Sequence, residues 1–339
     1  MLRLAVLGSL AGFGMLTLVA SALSAESNAD VGVLIAVGDI MYCDDTDEAA
    51  EAKETAKLAV ERIAAARAEK IPVAITLLGD LAYERGSQEQ YGCFKANWLD
   101  PVAAALASPD EDVLPVLGNH DAESGGGTWY LDTFKTNRHA GHNPRAYYTL
   151  AYPPGVGGAW RIFAMNSNVA AGTHSDQYKW LKHEVDTLSA AQDPSCLLGL
   201  WHAPVVSSGH HGHDESPDFA GSKPVVQDKM AAIEALIGTA GGSLILNGHD
   251  HDYEELMRHG TDGKATPDGM RSFVVGTGGK ALYHAYAKTW PDISAVYDTK
   301  SYGVLEMRLK PTSYSWAFYA TTDPKTPKYS GSDTCNSRK

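Results

Sequence analysis

Positive charge is what this sequence has least of: 28 Lys and Arg face 41 Asp and Glu, a formal net charge of −13 at pH 7 over 339 residues. Nucleic acid and anionic membranes both need a basic face, so both are excluded as partners. Cysteine is scarce too. The four present, Cys43, Cys93, Cys196 and Cys335, include no C-x-x-C pair, which excludes a zinc ribbon. Internal repeats, low-complexity tracts and an obvious interdomain linker are missing, and past residue 25 no run is long or apolar enough to cross a bilayer.

What is there begins with Arg3 and an apolar run over 4–23, broken by Gly8, Gly12 and Gly14 and followed by small residues through Ala25. This has the form of a cleaved export signal over residues 1–25, cut after Ala22 or Ala25. An uncleaved anchor is the other reading, disfavoured by the glycines and the short length. The expected location is therefore secreted or periplasmic, where disulfides are permitted. Cys43 and Cys93 each lie just past a strand end, so a bridge between them across neighbouring loops is expected, with Cys196 and Cys335 as a second pair. Four free thiols are the alternative. About 310 residues remain, within the range of one layered α/β domain.

Three hydrophobic runs end on glycine and a polar residue: 33–37 into Gly38-Asp39, 73–78 into Gly79-Asp80, and 113–117 into Gly118-Asn119-His120. A fourth, 244–247, enters Gly248-His249-Asp250-His251; a fifth, 196–201, lacks the glycine but still ends on His202. Between the first two lies 47–70, with Ala56, Val60, Ile63 and Arg67 at helical spacing. The chain thus opens as strand, helix, strand, a parallel pair joined by a crossover. The pattern further predicts a helix over 90–107 interrupted at Pro101, a short helix near 129–135 and a hairpin of 146–152 with 160–168. It also predicts a helix capped by Ser175, one over 225–237, and antiparallel strands at 302–309 and 314–319. Gly276-Thr277-Gly278-Gly279 reads as a tight turn, since no helical pattern follows it. Residues 321–339 read as a polar, peripheral tail.

Parallel strands deliver their C-terminal ends to one edge of a sheet, where open α/β folds bind ligands. Asp39, Asp80, Asn119, His202, His249 and His251 are therefore expected to converge. They offer oxygen and imidazole but no thiolate, donors suited to Fe, Mn, Zn or Ni. Two ions sharing a carboxylate can serve both the attacking and the leaving oxygen of a phosphoryl displacement. His139, His142, His174, His183, His259 and His284 fit no such block and read as surface or core residues.

Together the blocks Gly38-Asp39, Gly79-Asp80-Leu81-Ala82-Tyr83, Gly118-Asn119-His120-Asp121, Trp201-His202 and Gly248-His249-Asp250-His251 resemble those of the calcineurin-like metallophosphoesterases. Within that superfamily they look most like the purple acid phosphatases, specifically exported bacterial single-domain members. The resemblance implies a two-sheet mixed β-sandwich flanked by helices, a four-layer αββα fold, with the catalytic domain over 31–320. It implies that Asp39, Asp80, Tyr83 and His251 hold one metal, and that Asp80 bridges to a second held by Asn119, His202 and His249. His120 would lie outside both, facing the leaving oxygen. His211, or its neighbour His210, would contact the phosphate together with Asn119 and His120. The implied activity is hydrolysis of small-molecule phosphate monoesters by a metal-bound hydroxide, with Fe(III) beside a divalent Fe, Zn or Mn, in a monomer.

Two positions depart from the pattern. Met41 stands where the superfamily has a histidine ligand and purple acid phosphatases usually have glycine; Gly199 stands where the latter usually have valine. Tyr83 would replace the missing histidine. Two carboxylates, a tyrosinate and a hydroxide carry four negative charges, so Fe(III) with a divalent ion leaves one positive charge. With neutral histidine instead of tyrosinate, two divalent ions leave the same. Either centre is electropositive inside an acidic protein, which is how such a chain attracts phosphate. Two alternatives stay open: a phosphodiesterase or nucleotidase using two divalent ions, and a non-catalytic secreted metal-binding protein.

Overall fold

The computed structural model describes residues 31–140, 144–154, 159–213, 223–286 and 288–337, so the expected export signal lies outside the described residues. Runs rich in Val, Ile and Leu build two mixed sheets. From edge to edge the first is Tyr329–Thr334, Ser313–Ala320, Gly303–Leu309, Gly32–Val37, Val73–Leu77 and Val113–Pro115. Its last three strands are parallel and the others antiparallel. The second is Ser294–Asp298, Tyr253–His259, Met270–Val275, Gly242–Asn247, Cys196–Leu200, Trp160–Ala164 and Tyr148–Tyr152. Its strands from Met270–Val275 to Trp160–Ala164 are parallel; Tyr148–Tyr152 closes the expected hairpin.

Side chains alternate across a strand, so the second sheet feeds two cores. Leu198, Leu200, Leu244, Leu246 and Phe273 join the core shared with the first sheet. Leu197 and Ile245 pack instead with Leu181 and Val185 of the helix Asp176–Ala190 and with Ile233 and Ile237 of Ala231–Thr239. The first sheet is covered by the helix Thr46–Ala68, capped by Asp45, whose side chain accepts from the amides of Asp47 and Glu48. Ala52, Ala56, Ala59, Ile63 and Ala66, three or four apart, form its buried stripe. These layers make the four-layer αββα sandwich, with every parallel strand aimed at one edge. Both expected disulfides, Cys43–Cys93 and Cys196–Cys335, are present.

Three local expectations need correction. Pro101 does not interrupt its helix: the backbone widens into a π turn over Lys95–Leu99, and the amide of Asp100 reaches back to the Lys95 carbonyl. The wider turn accommodates a residue that has no amide proton to give. The helix expected over 225–237 starts only at Ala231, because the amides of Val225 and Gln227 are spent on Gly212 and Val205 carbonyls. Residues 322–337 are no peripheral tail. Tyr329–Thr334 is the edge strand of the first sheet, and Cys335 is bridged to Cys196.

Glu234, on Ala231–Thr239, is buried with its Oε1 lacking a partner among the described residues. Burial pushes its carboxyl up to about 8 from 4.5. Between those values the folded chain keeps a proton that the unfolded chain has released, so stability falls as pH rises through the window. Glu234→Met removes this slope: at pH 9 the variant is expected to exceed wild type by about 2 kcal/mol in urea unfolding, with a smaller difference at pH 5.

Candidate metal centre

Five of the site residues sit where a buried strand runs out. Asp39, Asp80, Asn119, His202 and His249 follow the strands Gly32–Val37, Val73–Leu77, Val113–Pro115, Cys196–Leu200 and Gly242–Asn247. Asp39, Asp80 and His249 have φ of 59°, 51° and 75°, a left-handed conformation that persists in non-glycine residues only where the surroundings enforce it. The preceding glycines leave the room for this crowding. A Cβ on Gly118 would stand 2.0 Å from the Asp80 amide nitrogen, and one on Gly79 would stand 2.6 Å from Nδ1 of His202.

Two groups of donors result. Around Tyr83 Oη lie Asp39 Oδ1 at 2.9 Å, His251 Nε2 at 3.1 Å and Asp80 Oδ2 at 3.3 Å. Around His202 Nε2 lie Asp80 Oδ2, Asn119 Oδ1 and His249 Nδ1, each at 3.1 Å. One oxygen, Asp80 Oδ2, belongs to both groups. The far ring nitrogens are committed: His202 Nδ1 donates to the Leu78 carbonyl at 2.8 Å and His251 Nδ1 to that of Ala281 at 2.9 Å. Those bonds set the tautomers and turn both Nε2 lone pairs into the site.

The electrostatics are those of crowded donors. Burial penalises the charge on Asp80, yet His202, His120 and His249 outweigh it and hold the carboxyl well below its usual range. Burial also opposes charge on His202, but Asp80 and Asp39 lift it to about 9. His249 is pushed well below its ordinary value by burial, then by His202 and His211. Burial, Asp39 and Asp80 drive the Tyr83 hydroxyl far up.

These residues fit metal ions. Bonds of about 2.1 Å to nitrogen and oxygen put neighbouring ligands of one ion about 3 Å apart; Tyr83 Oη and His202 Nε2 stand 2.9–3.3 Å from their neighbouring donors, and His251 Nε2 is 3.5 Å from Asp39 Oδ1. The ligating atoms of Asp80, His202 and His249 all lie within 4.8 Å of one another. A cation among them would reverse the electrostatic penalty on the Tyr83 phenolate. Met41 takes no part: it is buried in the core on a two-residue strand that pairs it with Ala82 and Tyr42 with Tyr83. Gly199 has a reason as well, since a Cβ there would meet the Trp201 ring at 2.4 Å.

His120 borders the donors without joining them. Its amide donates to Asp80 Oδ1 at 2.9 Å, its Nδ1 bonds the Glu84 carbonyl at 2.6 Å, and its Nε2 is 4.0 Å from Asp80 Oδ2. The structure separates the two loop histidines. His211 stacks on His249 with ring centres 3.9 Å apart and lines a cavity of about 150 Å³ with Asn119, Asn168 and Lys229. His210 bonds Tyr286 at 2.8 Å and is not part of that wall. A second cavity, about 280 Å³, opens beside the first donor group between Tyr83, His120, His251, Lys280 and Tyr283. A larger one, about 540 Å³, lies around the Cys196–Cys335 bridge at the start of the strand that ends near His202, and holds none of these donors. Size alone does not locate the chemistry.

Three contributors escaped sequence reasoning. Asp121 is buried and accepts from the amides of Leu81, Ala82 and Gly118 and from the Tyr91 hydroxyl. Its place inside a motif block was a signal that could have been used. Tyr283 stacks on His251 at 4.1 Å, and Lys280 bridges Glu48 at 3.1 Å and Glu84 at 3.2 Å. Both come from a loop with no motif.

A family model described as calcineurin-like phosphoesterase matches residues 32–253. Purple acid phosphatase 18 of Arabidopsis thaliana is 27% identical over 261 residues, 73% of this chain and 53% of its own length. Purple acid phosphatase 21 of the same plant is 26% identical over 217 residues, 60% of this chain and 43% of its own. The chain thus spans about half or less of these curated relatives. Among solved structures, purple acid phosphatase PPD1 from yellow lupin (Lupinus luteus) seeds aligns with a TM-score of 0.67 at 16% identity, over 91% of this chain and 55% of that one. GAP50, described as the anchor in the inner membrane complex of Plasmodium, aligns at 0.62 and 15% identity, over 91% and 89%. At such identities the two structures show a shared fold.

Proposed function

The chain belongs to the calcineurin-like phosphoesterase family, and from that premise we propose that it is an exported phosphatase of the purple acid type, hydrolysing phosphate monoesters at a dinuclear metal centre. The observation that carries this reading is the shared oxygen, Asp80 Oδ2, 3.3 Å from Tyr83 Oη and 3.1 Å from His202 Nε2. Asp39, Asp80, Tyr83 and His251 would hold Fe(III); Asp80, Asn119, His202 and His249 would hold a divalent Fe, Zn or Mn. When bound, such a pair offsets charge on a phosphoryl group and acidifies water into a nucleophile. The remaining work falls to side chains of the chain itself. His211 and Asn119, which share a cavity wall, bind phosphoryl oxygens. His120, with Nδ1 held by the Glu84 carbonyl, presents Nε2 and, when protonated, donates to the departing oxygen. Residues 1–25 serve as the export signal, in keeping with two disulfides.

The test is turnover of an aryl phosphate monoester against the matching diester, with elemental analysis and a visible spectrum. Expected are monoester hydrolysis, two metal ions per chain and a phenolate-to-iron absorption band. Tyr83→Phe is expected to lose that band; a variant that keeps it shows that another group ligates the iron. Diester turnover with two divalent ions and no band supports the phosphodiesterase alternative. The fold also serves GAP50, described as an anchor, and one ion per chain without hydrolysis would favour a non-catalytic role.

A further inference from the structure

Asp250 stands between the two histidines of the last block and is fully buried. While His249 Nδ1 and His251 Nε2 join the donor groups, the Asp250 carboxylate binds a different segment. Its Oδ2 accepts from the Ser207 hydroxyl at 2.6 Å and its Oδ1 from the His211 amide at 2.7 Å. Ser207 Oγ in turn accepts from the Gly209 amide at 2.9 Å. The contact is close: a Cβ on Gly209 would lie 2.3 Å from Asp250 Cγ. The stem of the same loop is held from behind, where the Trp290 indole donates to the Ser207 carbonyl at 2.9 Å and Glu254 accepts from the Ser208 amide at 2.8 Å. At the tip, the His211 ring lies on His249, and its Nε2 is 3.2 Å from the Tyr283 hydroxyl.

We propose that Asp250 is a positioning residue for substrate: one carboxylate fixes the His211 loop against the segment carrying His249 and His251, and so sets the imidazole that meets phosphate relative to the metal ligands. This rests on the reading of His211 as a phosphate contact. The chemistry calls for a carboxylate. The His211 amide can only donate, and Ser207, whose oxygen already accepts from Gly209, donates as well. Two converging donors need a group that only accepts, and an asparagine would turn its amide protons on one of them. Two charge-assisted bonds to a buried group also order the loop before substrate arrives, so less ordering entropy is lost on binding.

A double-mutant cycle of Asp250→Asn and His211→Ala tests the inference, reading KM for the aryl phosphate, inhibition by inorganic phosphate, and metal content. Asp250→Asn is expected to raise KM and the phosphate inhibition constant about tenfold with both ions retained. In the His211→Ala background the same change is expected to add little, because the residue it positions is gone. Effects that multiply in the double mutant would overturn the proposal, as would loss of metal from Asp250→Asn, which would make Asp250 a support for the ligand histidines. Should Asp250→Asn fold poorly, Ser207→Ala removes one of the two bonds and runs the same cycle with an expected effect of about threefold. Wild-type protein that neither turns over the ester nor binds phosphate sinks the proposed function and this inference with it. Normal wild-type turnover with a multiplicative cycle sinks the inference alone.

Discussion

Asp80→Ala is expected to lower kcat/KM on an aryl phosphate by on the order of 10³-fold or more and to strip the protein of both metal ions. The expectation follows from one oxygen serving two groups, since Asp80 Oδ2 is a neighbour of Tyr83 Oη and of His202 Nε2 alike. Its other oxygen accepts from the His120 amide, so the change also loosens the residue that would protonate the leaving group. His251→Ala is the control. It touches the Tyr83 group alone, and elemental analysis should find one ion lost and one kept. If Asp80→Ala likewise keeps one ion, the carboxylate is not shared and the dinuclear reading fails.

Asp121→Ala has the second-largest expected effect, a loss of about 3–5 kcal/mol in urea unfolding. Four buried donors depend on this side chain: the amides of Leu81, Ala82 and Gly118 and the Tyr91 hydroxyl. Alanine leaves all four without an acceptor, and each unmet donor costs more than the bond was worth when made. The carboxyl is itself under strain, pushed up to about 6 by burial and then by Asp80. Tyr91→Phe removes only one of the four donors and should cost about 1 kcal/mol. A loss below that in Asp121→Ala would mean the loops find other partners. The amides it holds lie between Asp80 and Tyr83 and just before Asn119, so the variant should lose turnover before it loses its fold.

The strands that end on glycine and a polar residue were legible because burial on both faces leaves an unbroken apolar run, and the break in it marks the strand mouth. Tyr253–His259 was not legible. Its sequence carries Glu254 and Glu255, both buried, and Glu254 is acceptable there only because the Ser208 amide and Ser294 hydroxyl, 46 and 40 residues away, satisfy it. Partners that distant leave no local trace. Tyr329–Thr334 was missed for another reason: small polar residues on an edge strand give no hydrophobic alternation. Spacing from His202 favoured His211 over His210 but did not give the reason for it, which lies in contacts across the fold: the His211 amide bonds Asp250 and its ring stacks on His249. Asp250 had no role to read from the sequence, because its partners Ser207 and His211 lie 43 and 39 residues away.

The Tyr329–Thr334 strand lies along Ser313–Ala320, whose side chains include Tyr314, Trp316 and Phe318. Without that covering, an aromatic-rich strand would offer its open backbone to other molecules, and self-association would follow. A shortened form of the protein stopping near residue 320 would keep every candidate ligand and still be a poor reagent, clumping through a surface the full chain never shows.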